Sequence, residues 1–320
     1  MINELLFLLS FIMLFYGGEL LVKSSVSLAL RMNVSTLVVG MTVVSFATSS
    51  PELFVSIQST VIQDITDVTF GSVIGSNIAN ITLVLALTAI VFKINVDRTM
   101  LIINYPFMLF SSLLLGIVVY FNSWTIDRLS GIIFVVSLLL FSWVIINRSR
   151  RDRLSVNHDQ VNNNEFIKDS LQISIVYMII GVILLYFGSQ FLVDGVEAIA
   201  LYFNISESII SVSLVAIGTS IPELATSLVA AFRKQTNLAL GNLIGSNIFN
   251  VLAVLGVTSI FKPIYLSDQL LITHYIWMLL ATVLLGLLLY FYSKRVVSKI
   301  EGFILLSFYI LFMVFCFLET

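Results

Sequence analysis

The chain has 320 residues, 59% of them apolar and only 11% charged, with a formal net charge of −2 and a mean hydropathy of +1.06. Soluble domains carry about 25% charged residues, so this balance excludes a water-soluble enzyme and a disordered chain. Without excess positive charge it also excludes a nucleic-acid binder. Ten bilayer-crossing helices of roughly 20 residues would use about 200 positions, close to what the apolar fraction supplies, and the expected class is an all-α polytopic membrane protein.

Apolar runs between polar breaks predict ten spans, at about 4–28, 36–60, 70–92, 99–121, 127–147, 171–198, 206–231, 239–261, 269–292 and 300–318. The first has Glu4 and no basic residue ahead of it, so it reads as a span rather than a cleaved leader. One long polar interval, Arg148 to Ser170, contains Arg148-Ser-Arg-Arg-Asp-Arg153 and separates five spans from five. The expected organisation is therefore a five-helix unit (1–147), a linker loop (148–170) and a second five-helix unit (171–320). The lone cysteine, Cys316, cannot form an internal disulfide, and two histidines, His158 and His274, cannot build a histidine-based metal cluster.

Basic residues orient the chain. Loops after spans 2, 4, 6 and 8 hold only Arg128 and Lys262, whereas the other loops and adjoining span ends hold the remaining fourteen of the 16 lysines and arginines. The bias places the second set in the cytoplasm, with both termini outside and the 148–170 loop inside.

The two halves repeat one another. At an offset of 171, Thr48-Ser-Ser-Pro-Glu-Leu53 falls on Thr219-Ser-Ile-Pro-Glu-Leu224, and Tyr16-Gly17 falls on Phe187-Gly188. At an offset of 170, Gly71-Ser-Val-Ile-Gly-Ser-Asn-Ile-Ala-Asn80 falls on Gly241-Asn-Leu-Ile-Gly-Ser-Asn-Ile-Phe-Asn250. Because each copy has five spans, the second enters the membrane from the opposite side. Inverted repeats of this kind build secondary transporters, with the substrate held where the repeats meet.

The repeated residues suggest an ion site. Two of the four prolines precede glutamates inside apolar spans, Pro51-Glu52 and Pro222-Glu223. A carboxylate at bilayer depth costs at least ~2.5 kcal/mol, and no lysine or arginine is available near the middle of any span. Bound cations or protons must compensate both. Each proline deprives a carbonyl of its helical donor, so oxygens around Ser45 to Thr48 and Ala216 to Thr219 are expected to be loose. Ser45, Thr48, Ser49, Glu52 and Ser56 lie three or four residues apart on one helical face, as do Ala216, Thr219, Ser220, Glu223 and Ser227. Ser76 with Asn80 and Ser246 with Asn250 share a face in spans 3 and 8, beside glycines (Gly71, Gly75, Gly241, Gly245) that admit close helix contact. The inventory is all oxygen, which suits hard cations such as Ca²⁺ and Na⁺. Two carboxylates match one Ca²⁺, two Na⁺ or two protons.

These paired motifs resemble the alpha-repeats of the sodium/calcium exchanger family of the cation/calcium exchanger superfamily, in its prokaryotic form without a large regulatory loop. The resemblance covers the whole chain, with the motifs at 40–80 and 211–250. It implies an antiporter rather than an enzyme, without a cofactor, that exchanges Ca²⁺ for Na⁺ by alternating access. The coupling alternative is Ca²⁺ against protons on the same fold, and a passive cation channel is a weaker one. It implies that Glu52 and Glu223 bind the ions, with Thr48 and Thr219 adding backbone oxygens and Ser49 and Ser220 hydroxyls. Ser45 and Ala216 would add carbonyls, and Ser76, Asn80, Ser246 and Asn250 would complete the sodium sites. It further implies that spans 1 and 6 slide against the other eight. The expected setting is a prokaryotic plasma membrane with lipid around the helices; the oligomeric state stays open, a monomer included. Two positions depart from the family: Ala47 stands where a glycine is common, and Asn250 stands where many members carry aspartate, removing a negative charge from the site.

Among the other acids, Glu19, Asp194 and Glu197 are expected at span ends facing solvent, with the lining of an ion vestibule as the alternative. Asp64 and Asp67 are expected in a solvated loop.

Overall fold

A computed structural model describes residues 2–155, 170–202, 218–266, 269–292 and 295–319. Among these, nine helices are long and apolar enough to cross a membrane: Leu6–Arg31, Thr36–Ile62, Thr66–Val91, Met100–Phe121, Arg128–Asp152, Leu171–Ala198, Thr236–Phe261, Ile272–Phe291 and Lys299–Leu318. They match spans 1 to 6 and 8 to 10. The helix Ile221–Phe232 belongs to span 7, whose residues 206–217, Ala216 included, lie outside the described residues. One boundary is corrected. Residues 148–155, expected to open the linker, continue the helix of span 5 to Ser155. The Ser149 hydroxyl accepts the Ser35 amide at 2.8 Å, which ties that extra turn to the loop after span 1.

Short strands on the loops fix which ends share a face. β1 (Ile94–Asn95) pairs antiparallel with β4 (Val296–Val297), Ile94 opposite Val297. β2 (Thr125–Ile126) pairs with β3 (Ile264–Tyr265), Thr125 opposite Tyr265. The loops after spans 3 and 9 therefore meet on one face and those after spans 4 and 8 on the other. Asp64 adds to the second face by pairing with Lys262 at 2.7 Å, so this loop acid is held in an ion pair. The alternation is what an odd-numbered, inverted repeat demands.

Side-chain contacts repeat with the same inversion. The Tyr105 hydroxyl donates to the Thr282 carbonyl at 3.0 Å, and its counterpart Tyr275 donates to the Ser112 carbonyl at 2.9 Å. Each ring fills the space over a glycine, Tyr275 over Gly116 and Tyr105 over Gly286. A Cβ at Gly131 of span 5 would come within 2.6 Å of the Gly256 carbonyl of span 8, and one at Gly302 of span 10 within 2.8 Å of the Ala86 carbonyl of span 3. Each repeat's last helix thus packs on the other repeat's third.

Spans 3 and 8 form the middle of the molecule, with 78% of each buried, against 22–39% for spans 1, 4 to 6, 9 and 10. Span 8 crosses span 2 at backbone contact: a Cβ on Gly40 would lie 2.6 Å from the Leu238 carbonyl, and one on Gly245 2.7 Å from the Met41 carbonyl. Spans 1 and 6 pack against each other in the same manner, a Cβ on Gly17 reaching the Gly181 carbonyl at 3.0 Å. Without a hydrophobic driving force in lipid, small residues that let backbones approach supply the packing energy.

Candidate functional site

Proline shapes the site. Span 2 reads as a π-helical turn (Gly40–Val44), one α-helical turn (Ser45–Thr48), a break, and a new helix over Ser50–Ile57. At the break Ser49 has φ −90° and ψ 5°, and Pro51 occupies the first turn that follows. Span 7 repeats this: Ser220 has φ −92° and ψ 0°, with Pro222 in the first turn of Ile221–Phe232. Proline suits a first helical turn because its missing N–H is not needed there. Glu52 and Glu223 consequently sit in the first turns of two half-helices. Spans 3 and 8 also change pitch at the motif, with π-helical turns beginning at Asn80 and at Asn250; such turns frequently mark functional positions.

Glu52 and Glu223 are both 0% exposed, and among the described residues no lysine or arginine is buried. Hydroxyls and amides from both repeats surround them. Ser76 donates to Glu52 Oε1 at 3.5 Å. Ser49, from the other repeat, donates to Glu223 Oε1 at 3.5 Å, and Ser246 donates to the same oxygen at 3.4 Å. Ser76 and Ser220 meet at 3.4 Å, as do Thr48 and Ser246. The Asn250 amide donates to Ser76 Oγ at 3.2 Å and to Asn77 Oδ1 at 3.1 Å. The carboxylate contacts stand at the long limit of hydrogen bonding, and the second oxygen of each glutamate has no partner. Also buried without a partner are Asn250 Oδ1, both amide atoms of Asn80, and the hydroxyls of Thr219, Ser56 and Ser227. Buried polar atoms are ordinarily satisfied. Unpaired acceptors concentrated around two carboxylates form an oxygen cage of the kind hard cations occupy.

Most of the anticipated residues meet here, through the contacts just given for Glu52, Glu223, Thr48, Ser49, Ser76, Ser220, Ser246 and Asn250. Asn80 is 0% exposed in span 3, and Thr219 lines an adjoining cavity. Ser45 needs a correction. Its carbonyl, expected to be loose, accepts the Ser49 amide at 2.9 Å; the carbonyl that Pro51 leaves without an i+4 donor is that of Ala47. The Ser45 hydroxyl is engaged too, donating to the carbonyls of Gly40 at 2.8 Å and Asn242 at 2.9 Å. Ala216 lies outside the described residues. Asn242 is a participant that sequence reasoning missed: its Oδ1 accepts from Thr48 at 3.2 Å. Its position one helical turn before Ser246 was the available signal.

A cavity of about 620 Å³ adjoins the site, walled by span 6 (Tyr186, Gln190, Asp194, Glu197) and by Pro51, Ser72, Thr219 and Pro222. It lies toward the face that carries β2 and β3. Asp194 and Glu197, both exposed, stand in its wall, so the vestibule alternative describes them better than isolated span-end acids.

Nine membrane-crossing helices among the described residues and the shorter helix Ile221–Phe232, in two inverted copies that close on buried carboxylates and unpaired oxygens, define an integral membrane protein of ion transport. The model of the sodium/calcium exchanger protein family matches residues 3–147 and 173–318, and the chain belongs to that family. It is 34% identical over 313 residues to an uncharacterized membrane protein of Methanocaldococcus jannaschii, covering 95% of each. It is 28% identical over 348 residues to the sodium/calcium exchanger MaX1 of Methanosarcina acetivorans, covering 99% of each. The solved sodium-calcium exchanger NCX_Mj, soaked with 2.5 mM Na⁺ and 1 mM Sr²⁺, superposes with a TM-score of 0.80 at 30% identity over 98% of both chains.

Proposed function

We propose that this protein is a secondary antiporter that exchanges Ca²⁺ for Na⁺ at a site shared by Glu52 and Glu223. The observation that carries the reading is the pair of fully buried carboxylates with unpartnered oxygens and no buried basic residue beside them. An uncompensated carboxylate in hydrocarbon costs several kcal/mol, so the cage requires a cargo carrying about two positive charges. One Ca²⁺ or two Na⁺ meet that requirement in turn, and neither can enter while the other is bound. Thr48, Thr219, Ser49, Ser220, Ser76, Asn80, Ser246 and Asn250 supply the remaining oxygens. Two equivalent lysine-free half-sites in opposite orientation support transport by alternating access, with spans 1 and 6 shifting as a pair against the rest.

The lysine and arginine bias supports a plasma-membrane orientation with both termini outside and the 148–170 segment in the cytoplasm. On that orientation the cavity beside Thr219 opens outward. The testing experiment is ⁴⁵Ca²⁺ uptake into vesicles containing purified protein. Uptake is expected to follow an outward Na⁺ gradient at clamped pH and to be absent without one. Uptake driven by a proton gradient alone would transfer the coupling to protons, and uptake needing no counter-ion would make the protein a channel.

A further inference from the structure

The repeat predicts that each side chain on span 1 has an equivalent on span 6, and several equivalences differ in charge, among them the one at Glu19. Glu19 corresponds to Gln190. Gln190 is exposed in the wall of the cavity. Glu19 instead reaches across to the end of span 7, where Arg233 Nε donates to both of its carboxylate oxygens, at 2.7 and 3.1 Å. The carboxylate side chain is 20% exposed and the guanidinium 51%, so the pair is only partly screened by solvent. Arg233 corresponds in turn to Ile62, 76% exposed, and the opposite side of the molecule can form no such pair.

The position of this ion pair gives it a mechanical meaning. It lies one helical turn beyond the contact of Gly18 with Val229, where a Cβ on Gly18 would come within 3.0 Å of the valine methyl. Span 1 is thus pressed on span 7 on the side away from the cavity. Span 1 is also locked to span 6: Gly17 and Gly181 admit backbone contact, and a Cβ on Gly188 would meet Leu14 and Met13 at 3.1 Å. If spans 1 and 6 move together, as the proposed alternating access requires, the Gly18–Val229 contact must shear and the carboxylate must leave the guanidinium. The equivalent positions on the cavity side, Gln190 and Ile62, carry no charge and can form no such bond.

We propose that Glu19 and Arg233 form a one-sided strap that holds the sealed side closed and biases the resting transporter toward the state whose cavity opens beside Thr219. The inference rests on the alternating-access reading. A group that interacts in only one of two states shifts their populations by its differential free energy. The pair positions helices and touches no ion.

Impermeant maleimide labelling of a Val55→Cys reporter in the cavity wall, in a Cys316→Ser background, tests this without relying on transport. In the otherwise intact protein the labelling rate is expected to change when Na⁺ is replaced by Ca²⁺. Indifference to both ions would overturn alternating access and the strap with it. Given that response, Glu19→Gln and Arg233→Gln should each slow labelling by about threefold to tenfold. The charge-swapped Glu19→Arg/Arg233→Glu protein should recover to within about twofold, which a merely destabilised fold would not do. The apparent affinity for Ca²⁺ from the sealed side should rise in both single variants. Unchanged labelling in both, or failure of the swap to restore it, would overturn the strap while leaving the ion site intact.

Discussion

The two halves of the proposed ion path are built from equivalent residues and stand in different conformations. On the cavity side, Ser72, Gln190, Val193 and Thr219 line open space. Their equivalents Asn242, Glu19, Val22 and Thr48 are packed away: Asn242 is 0%, Val22 1% and Thr48 2% exposed, and Glu19 is held by Arg233. The inversion therefore produces two copies of one motif in two conformations at once. On the proposed alternating access, the one-sided cavity follows from that asymmetry, and exchanging the conformations of the two copies would move the opening to the other face without altering the cage. The substitutions reinforce the difference. Asn242, larger than Ser72 and bonded to Ser45 and Thr48, plugs the sealed side. Lys23 stands there where the cavity side has Asp194.

The largest effect is expected where the halves are most alike. Glu52→Gln and Glu223→Gln should each reduce sodium-driven ⁴⁵Ca²⁺ uptake about a hundredfold or more, because a neutral amide no longer balances the cargo's charge. Losing one partner of a buried charge pair typically costs 3–5 kcal/mol. Both variants should still insert and run as monodisperse protein in detergent. Equal and complete loss would show that the carboxylates serve both states together, and retained uptake in either would assign that glutamate to one side of the path.

Next in size is a packing change at the crossing that holds the cage. Gly245 leaves room for Met41 of span 2, whose carbonyl would lie 2.7 Å from an added Cβ. Overfilling a close-packed contact costs about 1–3 kcal/mol. Gly245→Val should therefore lower the melting midpoint of the detergent-solubilised protein and part Ser246 from Thr48, weakening Ca²⁺ binding measured by calorimetry. Unaltered melting would show that span 2 can slide on span 8 without loss.

Much of this was legible in the chain itself. The mirrored Pro-Glu pairs locate the break in spans 2 and 7 because proline's geometry is local, and the apolar run lengths mark the spans because the bilayer's thickness is constant. The inverted pairing of Tyr105 and Tyr275 over Gly286 and Gly116 was not legible, since nothing in either local sequence names a partner about 170 residues away. The same applies to Asn242 and to the Glu19–Arg233 pair, whose members are 214 residues apart. Ser45 misled for a different reason. A proline frees the carbonyl four residues before it, and the wider expectation of a loose turn ignored the ordinary helical bond from Ser49.

Asn250 sharpens the comparison within the cage. Its amide nitrogen donates to Ser76 and Asn77, whereas Asn80, its equivalent, has both amide atoms buried without a partner. Asn250→Asp removes those donors and adds a third buried carboxylate. The extra charge calls for one more monovalent ion, so uptake should become steeper in Na⁺ or newly dependent on pH, with a fewfold change in apparent Na⁺ affinity. An unaltered Na⁺ dependence would place position 250 off the ion path. Asn80→Asp, starting from an unpartnered amide, should perturb the cage less.

The smallest effect belongs to the cavity wall, where the two sides differ in net charge. Asp194 and Glu197 are exposed and correspond to Lys23 and Val26. Exposed carboxylates lining a low-dielectric cleft raise the local cation concentration and hence the encounter rate rather than the affinity of the site beyond. Asp194→Asn with Glu197→Gln should slow Ca²⁺ uptake from the cavity side by about twofold to fivefold at low ionic strength. The deficit should shrink toward nothing above ~0.15 M salt, where the Debye length falls to about 8 Å. Uptake from the opposite side should not change. A deficit that persists at high salt, or that appears equally from both sides, would mean that these acids act within the binding cage, and the electrostatic difference between the two sides would then have no part in recruiting ions.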